Sequence, residues 1–388
     1  TVFWSSGISR SELAEQSGFS RSKANMATAA LIERGMLDET GPQVSSGGRR
    51  PETLLLSSEM GVLAAIDLGA SSVDVALIAP DMTVLAHHAE NIEIAEGPGV
   101  VLSRVKDILR DLRKRCNVRA EKVIGIGIGV PGPVEFDSGL LVAPPIMPGW
   151  EGFSIREYLR DEYAAPAFID NDVNVMAMGE LWRLHRKLPN FLVVKIGTGI
   201  GCGIVCNGMI YRGTNGSAGD VGHICVDPVG ERCHCGNQGC VEIMAAGPAI
   251  ARQGTEAAKA GKSPQLAQVL AANGVITPED VGQASRGGDV AANAIIKLSG
   301  KLIGQMLATV VNFFNPSHIF IAGGISHIGP MFLASIRQSI YQRSLPLSTR
   351  HLEILYAPLG DRAGVIGCAA MAFQETMRVR GVLPGSES

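Results

Sequence analysis

The chain has almost no excess charge of either sign. Its 388 residues carry 34 Lys and Arg against 37 Asp and Glu, a formal net charge of −3. No global field therefore favours nucleic acid, and any DNA contact must come from a local patch. Charged residues are sparse at 18%, against 46% hydrophobic. Together with a mean hydropathy of +0.19, this excludes a disordered chain and reads as a compact, soluble α/β protein. Long apolar runs are missing too: none reaches the ~18 residues expected of a membrane span. The basic-then-apolar pattern of a secretory leader is absent, as is an initiator Met, so the sequence reads as beginning inside a longer chain. These absences point to a cytoplasmic protein with no membrane partner. Eight cysteines in such a chain read as reduced thiols or metal ligands before disulfides.

What is present divides in two. The length predicts two or three domains. Residues 1–56 show short helical patterns and then a polar, glycine-rich stretch from Thr40 to Pro51. From residue 57 to 388 apolar strands alternate with helices. Val62–Asp67, Val73–Ile78, Thr83–His88, Lys122–Val130, Leu192–Ile196, Gly203–Val205, His318–Ala322 and Leu352–Tyr356 read as strands. Val100–Arg115, Ala291–Phe314 and Ala363–Glu375 read as helices. The alternation predicts sheets covered on both faces. Two glycine-rich turns, each after a strand, fit two related lobes at about 61–175 and 176–380, around a cleft.

In the first segment, Ser9 followed by Glu12 has the form of a capping box. It predicts a helix over Ser11–Ser17 that ends at a left-handed Gly18. Ser20 then caps a second helix with Ala24, Ala27, Leu31 and Ile32 as its apolar stripe. Two short helices joined by a glycine turn match helix-turn-helix geometry. Ser20, Arg21, Ser22, Lys23 and Asn25 lie at the start of the second helix, where a recognition helix meets bases and phosphates. The tip Ser45–Pro51 would present Arg49 and Arg50 as a wing. The alternative is an ordinary helical hairpin, which the local balance of six basic and six acidic side chains supports.

The strongest local signal is His223 followed by Cys233, Cys235 and Cys240. Three thiolates and one imidazole suit tetrahedral zinc, and four protein ligands leave no open position, so the ion would be structural. His234 is the alternative fourth ligand. Asn171-Asp172 stands between a strand and a helix. The pair can bond vicinal hydroxyls, and in a kinase such an aspartate takes the proton of the attacking hydroxyl. Equally, either residue can cap the helix that follows. Gly197-Thr198-Gly199 forms a turn whose N–H groups can cradle a phosphate, though tight hairpins share that composition.

Several of these stretches resemble one family. Ser9–Gly41 followed by Ser45–Leu56 looks like the DNA-binding head of ROK-family repressors. Ala218–His223 with Cys233–Glu242 resembles the ROK signature, and Phe168–Asn174 resembles its Asn-Asp motif. Val130-Pro131-Gly132 is similar to its sugar-cleft wall. The resemblance implies an actin-like, hexokinase-type two-lobed module behind a small winged helix-turn-helix. It implies a structural zinc on His223, Cys233, Cys235 and Cys240. It places Asn171, Asp220, His223 and Glu242 on the sugar and Asp172 at the base position. Asp220 stands where the family has Glu. Asp67, Gly69, Gly197, Thr198, Gly199, Gly323 and Gly324 match the family's nucleotide loops. The first of these loops departs from the kinase pattern Asp-x-Gly-Gly-Thr, with Ala70 and Ser71 in place of the second Gly and the Thr.

The resulting expectation is a sugar-responsive transcription regulator, a repressor that binds operator DNA and a sugar or sugar phosphate. It would work as a homodimer or homotetramer without useful kinase activity. The alternatives are a Mg- and ATP-dependent sugar kinase that also binds DNA, and a regulator controlled by a protein partner.

Overall fold

The structure is a computed structural model that describes residues 1–5, 7–40, 44–45, 48–49 and 52–383. Local capping builds the N-terminal head. After a 3-10 turn at Val2–Trp4 and strand β1 (Ile8–Ser9), helix α1 (Arg10–Ser17) opens on Ser9. Ser9 and Glu12 form the reciprocal capping box, and Gly18 closes the helix with φ 68°. The Ser20 hydroxyl accepts from the Lys23 N–H and starts α2 (Arg21–Glu33). Strands β2 (Leu37–Thr40) and β5 (Thr53–Leu56) form an antiparallel wing, with β1 added in the order β1-β5-β2. Between them, β3 (Val44–Ser45) and β4 (Gly48–Arg49) make a small ribbon.

The buried stripe of α2 differs from the expected one. Ala24 and Thr28 are buried, whereas Ala27 is exposed. The Thr28 hydroxyl donates to the Ala24 carbonyl at 2.6 Å, so its polar group is satisfied inside the helix and the residue buries at little cost.

Contacts divide the chain into two units, Thr1–Lys187 with the segment from Gly364 onward, and Leu188–Ala363. In the first unit, β6 (Val62–Leu68), β7 (Ser72–Ile78) and β8 (Val84–Asn91) form an antiparallel meander. Strands β9 (Val123–Val130) and β12 (Ala167–Asn171) extend it in parallel, giving the order β12-β9-β6-β7-β8. Helix α3 (Pro98–Arg115) covers one face with Val101, Leu102, Val105, Ile108, Leu109 and Leu112. The hairpin β10 (Val134–Glu135) and β11 (Leu140–Leu141) and helix α4 (Ile155–Arg160) precede α5 (Asp172–Arg183).

Strand β9 reads Val-Ile-Gly-Ile-Gly-Ile-Gly-Val and is buried throughout. Its isoleucines Ile126 and Ile128 join the α3 core. Its glycines clear the other face for the closing helix, Ala363–Val379. A Cβ on Gly127 would overlap the Cys368 carbonyl of that helix, and one on Gly125 would meet the Ala372 carbonyl at 3.2 Å. Helix backbone thus lies directly on strand backbone, which side chains at these positions would prevent.

The second unit repeats the topology. Strands β13 (Phe191–Ile196), β14 (Ile200–Cys206) and β15 (Met209–Ile210) form a meander, and β16 (His318–Ala322) and β17 (Glu353–Tyr356) add in parallel beside β13. The order β15-β14-β13-β16-β17 matches the first sheet position for position. Helices α6 (Val241–Ala245), α7 (Gly247–Lys259), α8 (Pro264–Asn273), α9 (Pro278–Arg286), α10 (Val290–Phe314), α11 (Pro330–Arg343) and α12 (Pro346–Thr349) complete it, and the closing helix is α13 (Ala363–Val379). At 25 residues α10 is long and apolar enough to cross a membrane by length and composition, but most of its apolar stretch is buried. Gly300 and Gly304 bring its backbone against Ser335 and Ser339 of α11, so it is the core helix of this unit.

Candidate functional site

The loop before α6 folds into a cluster of soft ligands. The ligand atoms of His223, Cys233, Cys235 and Cys240 all lie within 4.8 Å of one another. A tetrahedral zinc with Zn–S of ~2.3 Å and Zn–N of ~2.0–2.1 Å has S···S edges of ~3.8 Å and N···S edges of ~3.6 Å. Cys235 and Cys240 Sγ are 3.7 Å apart, and Cys233 Sγ is 3.6 Å from His223 Nδ1. The residues therefore fit a metal ion of that size. His234 is exposed and outside the cluster, which makes His223 the imidazole of the set. Gly239 has φ +71°, and a Cβ there would overlap the Asp227 carbonyl, so glycine is required where the loop turns. Burial and the neighbouring thiols push the Cys240 thiol up to about 12. A divalent cation replaces that penalty with attraction.

The cluster is joined to other polar groups of the same unit by short links. His223 turns Nδ1 to the sulfurs, and its Nε2 is 3.9 Å from Asp220 Oδ1. Glu242, two residues after Cys240, accepts from the Ile200 N–H through Oε2 at 2.9 Å. That oxygen also lies 2.7 Å from where a Cβ on Gly199 would sit and 3.0 Å from one on Gly222. One carboxylate thus bonds the glycine turn and lies against the His223 segment. Thr198 is exposed at the tip of this turn. Gly197 accepts from the Gly247 N–H at 2.9 Å, and Gly323 packs on the Ile196 carbonyl. The predicted residues Gly197–Gly199 and Gly323–Gly324 are therefore neighbours.

In the first unit Asn171 is the cap of α5. Its Oδ1 accepts from the Val173 N–H at 3.1 Å, and its Nδ2 donates to the Gly132 carbonyl at 2.9 Å. The amide retains one hydrogen and one lone pair for a ligand. Asp170 accepts from the Asn171 N–H and from Asn174 Nδ2, which fixes the strand-to-helix corner. Asp172 begins the helix and is 7% exposed. The capping role thus falls on Asn171 and not on Asp172. At the β6–β7 turn the Gly69 N–H donates to the Ser72 carbonyl at 2.8 Å, and the Ala70 and Ser71 carbonyls accept from Ile94 and Ile92. Asp67 packs against Gly129 of β9 and Gly364 of α13.

In the head, Ser20, Arg21, Ser22, Lys23 and Asn25 are all exposed on the first turn of α2. Lys23 Nζ lies 4.1 Å over the Phe19 ring. Arg10, by contrast, is spent on Glu39 of the wing through two hydrogen bonds of 2.6 and 2.8 Å. The Arg49 side chain and Arg50 lie outside the described residues.

A second role of α5 had no sequence signal. Trp182 in its last turn donates from Nε1 to the Phe3 carbonyl at 3.1 Å. Phe3 stacks on Phe373 of α13 at 4.6 Å, and the Arg186 guanidinium sits 4.8 Å over the Trp4 ring. The segment leading into the head is thereby strapped to the helix that begins at Asp172. Trp182 and Phe3 are 179 positions apart, so no local periodicity reports their contact.

A winged helix-turn-helix joined to two sheets of identical strand order defines an actin-like α/β module with a head for nucleic acid. The sequence model of the ROK family matches residues 63–375, and the chain belongs to the ROK family. It is 31% identical over 372 residues to the xylose repressor of Caldicellulosiruptor bescii, covering 95% of this chain and 92% of that protein. It is 34% identical over 304 residues to the glucokinase of Halalkalibacterium halodurans, covering 78% of this chain and 92% of that one. Among solved structures, a ROK family transcriptional regulator described as a homolog of the E. coli MLC protein aligns with TM-score 0.80 and 28% identity, over 97% of this chain and 95% of that chain.

Proposed function

We propose that the protein is a sugar-responsive transcription repressor of the cytoplasm. The observation that carries this reading is the exposed first turn of α2, with Arg21 and Lys23 free to meet phosphates, in a chain that a xylose repressor matches over 95% of its length. Arg49 and Arg50 would add minor-groove contacts. A homodimer or homotetramer would set two heads at the half-site spacing of an operator. The test is selection of genomic fragments with the purified protein, then titration of the bound fragment with pentoses, hexoses, N-acetylhexosamines and their phosphates at fixed salt. Release or tightening by one of them is expected; operator affinity indifferent to all of them overturns the reading. Arg21→Ala and Lys23→Ala should each weaken all operator sequences alike and reduce the salt slope by about 1, as fluorescence anisotropy at several salt concentrations will read.

In this reading the sugar ligands are Asn171 and Asp172 in the first unit and Asp220, His223 and Glu242 in the second. A carboxylate bonded to hydroxyls contributes ~1.5–3 kcal/mol, or roughly 10- to 100-fold in affinity. Asp172→Asn should weaken sugar binding by about that factor in calorimetry, while operator affinity without sugar stays unchanged. The metal is zinc and structural: with His223, Cys233, Cys235 and Cys240 all bound, no position is left for a reactant.

The strap offers the route from sugar to DNA. A ligand held at the first residues of α5 biases the placement of that helix; its last turn holds Phe3 through Trp182, and Arg186 just beyond it covers Trp4, the residues that lead into the head. Allosteric couplings of this kind run at ~1–3 kcal/mol. Trp182→Ala should keep the sugar affinity and lose most of the sugar effect on operator affinity, two quantities measured side by side.

Two observations favour a second reading. The glucokinase similarity and the position of Asp172 suit a kinase, with Asp172 taking the hydroxyl proton and Mg-ATP held by Asp67, Gly69, Gly197, Thr198, Gly199, Gly323 and Gly324. We expect no ATP turnover with the sugar panel, because Ala70 adds a Cβ where the kinase pattern has glycine. Turnover that disappears in Asp172→Ala would establish the kinase instead.

A further inference from the structure

We propose that Cys225 is a redox modification site, a thiol that on oxidation couples to Cys240 and withdraws one ligand from the metal centre. The inference rests on the metal reading of the His223–Cys240 cluster. Of the eight cysteines, Cys225 and Cys235 are exposed, and Cys235 belongs to the cluster. Cys225 does not; it is the exposed thiol left over. Cys202 and Cys368 are fully buried, and burial raises both thiols well above the ordinary value, which suits inert core positions.

The backbone pairs Cys225 with a ligand. Cys225 and Cys240 are directly opposite in an antiparallel bridge. The flanking hydrogen bonds run from the Val241 N–H to the Ile224 carbonyl at 3.0 Å and from the Val226 N–H to the Gly239 carbonyl at 2.8 Å. Cys225 and Cys240 therefore form a non-hydrogen-bonded pair. Such pairs have Cα atoms ~4.5 Å apart and Cβ atoms ~4.5–5.5 Å apart on one face, within reach of the ~4.4–6.8 Å Cα spacing of disulfides. The Cys225 sulfur lies 3.3 Å from the position a Cβ on Gly239 would take, so it rests beside the residue that precedes Cys240. Rotation about its own Cα–Cβ bond turns it toward the facing side chain, and a closing of the two Cβ atoms by up to about 1 Å reaches the ~3.5–4.5 Å of a disulfide. The access is open as well: Cys225 lines a surface cleft of about 210 Å³ together with Gln305, Thr309 and Arg343.

The oxidant class is a hydroperoxide. Hydrogen peroxide converts the Cys225 thiol to a sulfenic acid and leaves as water. The Cys240 thiolate then attacks that sulfur, the S–S bond forms, and hydroxide leaves. Two thiols lose two electrons and one peroxide is reduced to two waters. Cys240 can no longer bind the ion, and His223, Cys233 and Cys235 remain as an incomplete set. A dithiol reductant reverses the step.

The test uses the full chain as purified, wild type beside Cys225→Ala, which leaves all four ligands in place. Metal content is measured first by elemental analysis. Hydrogen peroxide is then titrated while a chromogenic chelator follows metal release, and non-reduced digests are mapped by mass spectrometry. We expect a Cys225–Cys240 linkage that appears together with metal release and is undone by dithiothreitol. Cys225→Ala should need clearly more peroxide than the wild type to release the ion. Equal sensitivity of the variant, or a bridge confined to Cys233, Cys235 and Cys240, overturns the proposal. Protein purified without metal would fail the metal reading alone; the Cys225–Cys240 linkage is then decided by mass, and its absence overturns the redox site.

Discussion

Cys240→Ser should strip the metal and lower the melting temperature by roughly 6–12 °C, on a scale of ~2–4 °C per kcal/mol for a unit of this size. Cys240 is fully buried, and in the proposed metal site its thiolate is one of four ligands. Structural zinc sites contribute ~10–16 kcal/mol of apparent binding energy in small fingers. Here the loop has support of its own, from hydrogen bonds such as Cys233 N–H to Asn237 carbonyl and Gly239 N–H to Glu231 carbonyl. A share of about 3 kcal/mol for the ion is therefore the expectation, comparable to breaking a buried charged network. Calorimetry with parallel metal analysis checks it. Chelation of the wild type should reproduce the shift and leave the variant unmoved. An unchanged melting temperature after metal loss would mean that the backbone network alone holds the loop.

Gly127→Val should abolish stable folding of the first unit. The residue has no strained φ, so conformational freedom is not the reason for glycine here. The reason is space: the α13 backbone at Cys368 occupies the volume a Cβ would need. Neither partner can yield, because both are main chain of buried elements. Overpacking at flexible side chains costs ~1–3 kcal/mol, and a Cβ driven into a fixed main-chain carbonyl exceeds the ~4–5 kcal/mol that marks the most damaging substitutions. The expected result is insoluble protein, or a denaturation midpoint collapsed toward zero. Ile126→Val on the opposite face, a cavity of one methylene, should cost only ~0.5–1.5 kcal/mol and serves as the control.

Parts of this architecture were legible because their causes are local. The caps at Ser9 and Ser20 and the stop at Gly18 need only neighbours three or four positions away. The metal cluster was legible because soft ligands at short spacing have few other uses. The alternatives left open at Asn171-Asp172 and His234 turned on orientation, which spacing does not carry. Asn171 proved to be the cap and His234 to point away. Ala27 was expected inside because alanine is apolar, whereas Thr28 is the buried residue, its hydroxyl satisfied within the helix. Least legible were the contacts that close over long separations. The glycines of β9 read as an ordinary buried strand until α13 was seen lying on them. The tie from Glu242 to Ile200 and the strap from Trp182 to Phe3 join elements whose own sequences give no sign of a partner.

The place of α13 in the chain has a consequence for biosynthesis. The helix that covers the glycine face of β9 is encoded after the whole of Leu188–Ala363. At translation rates of ~5–20 residues per second, the ribosome needs on the order of 10–40 s to supply it. During that interval the nascent first unit holds a five-stranded sheet whose glycine face is covered by α5 at Gly129 but still open at Gly125 and Gly127, and the second unit can mature first. The protein should therefore depend on a holding chaperone while it is being made, and a ribosome stalled just before Gly364 should display a chain that is selectively cleaved near β9.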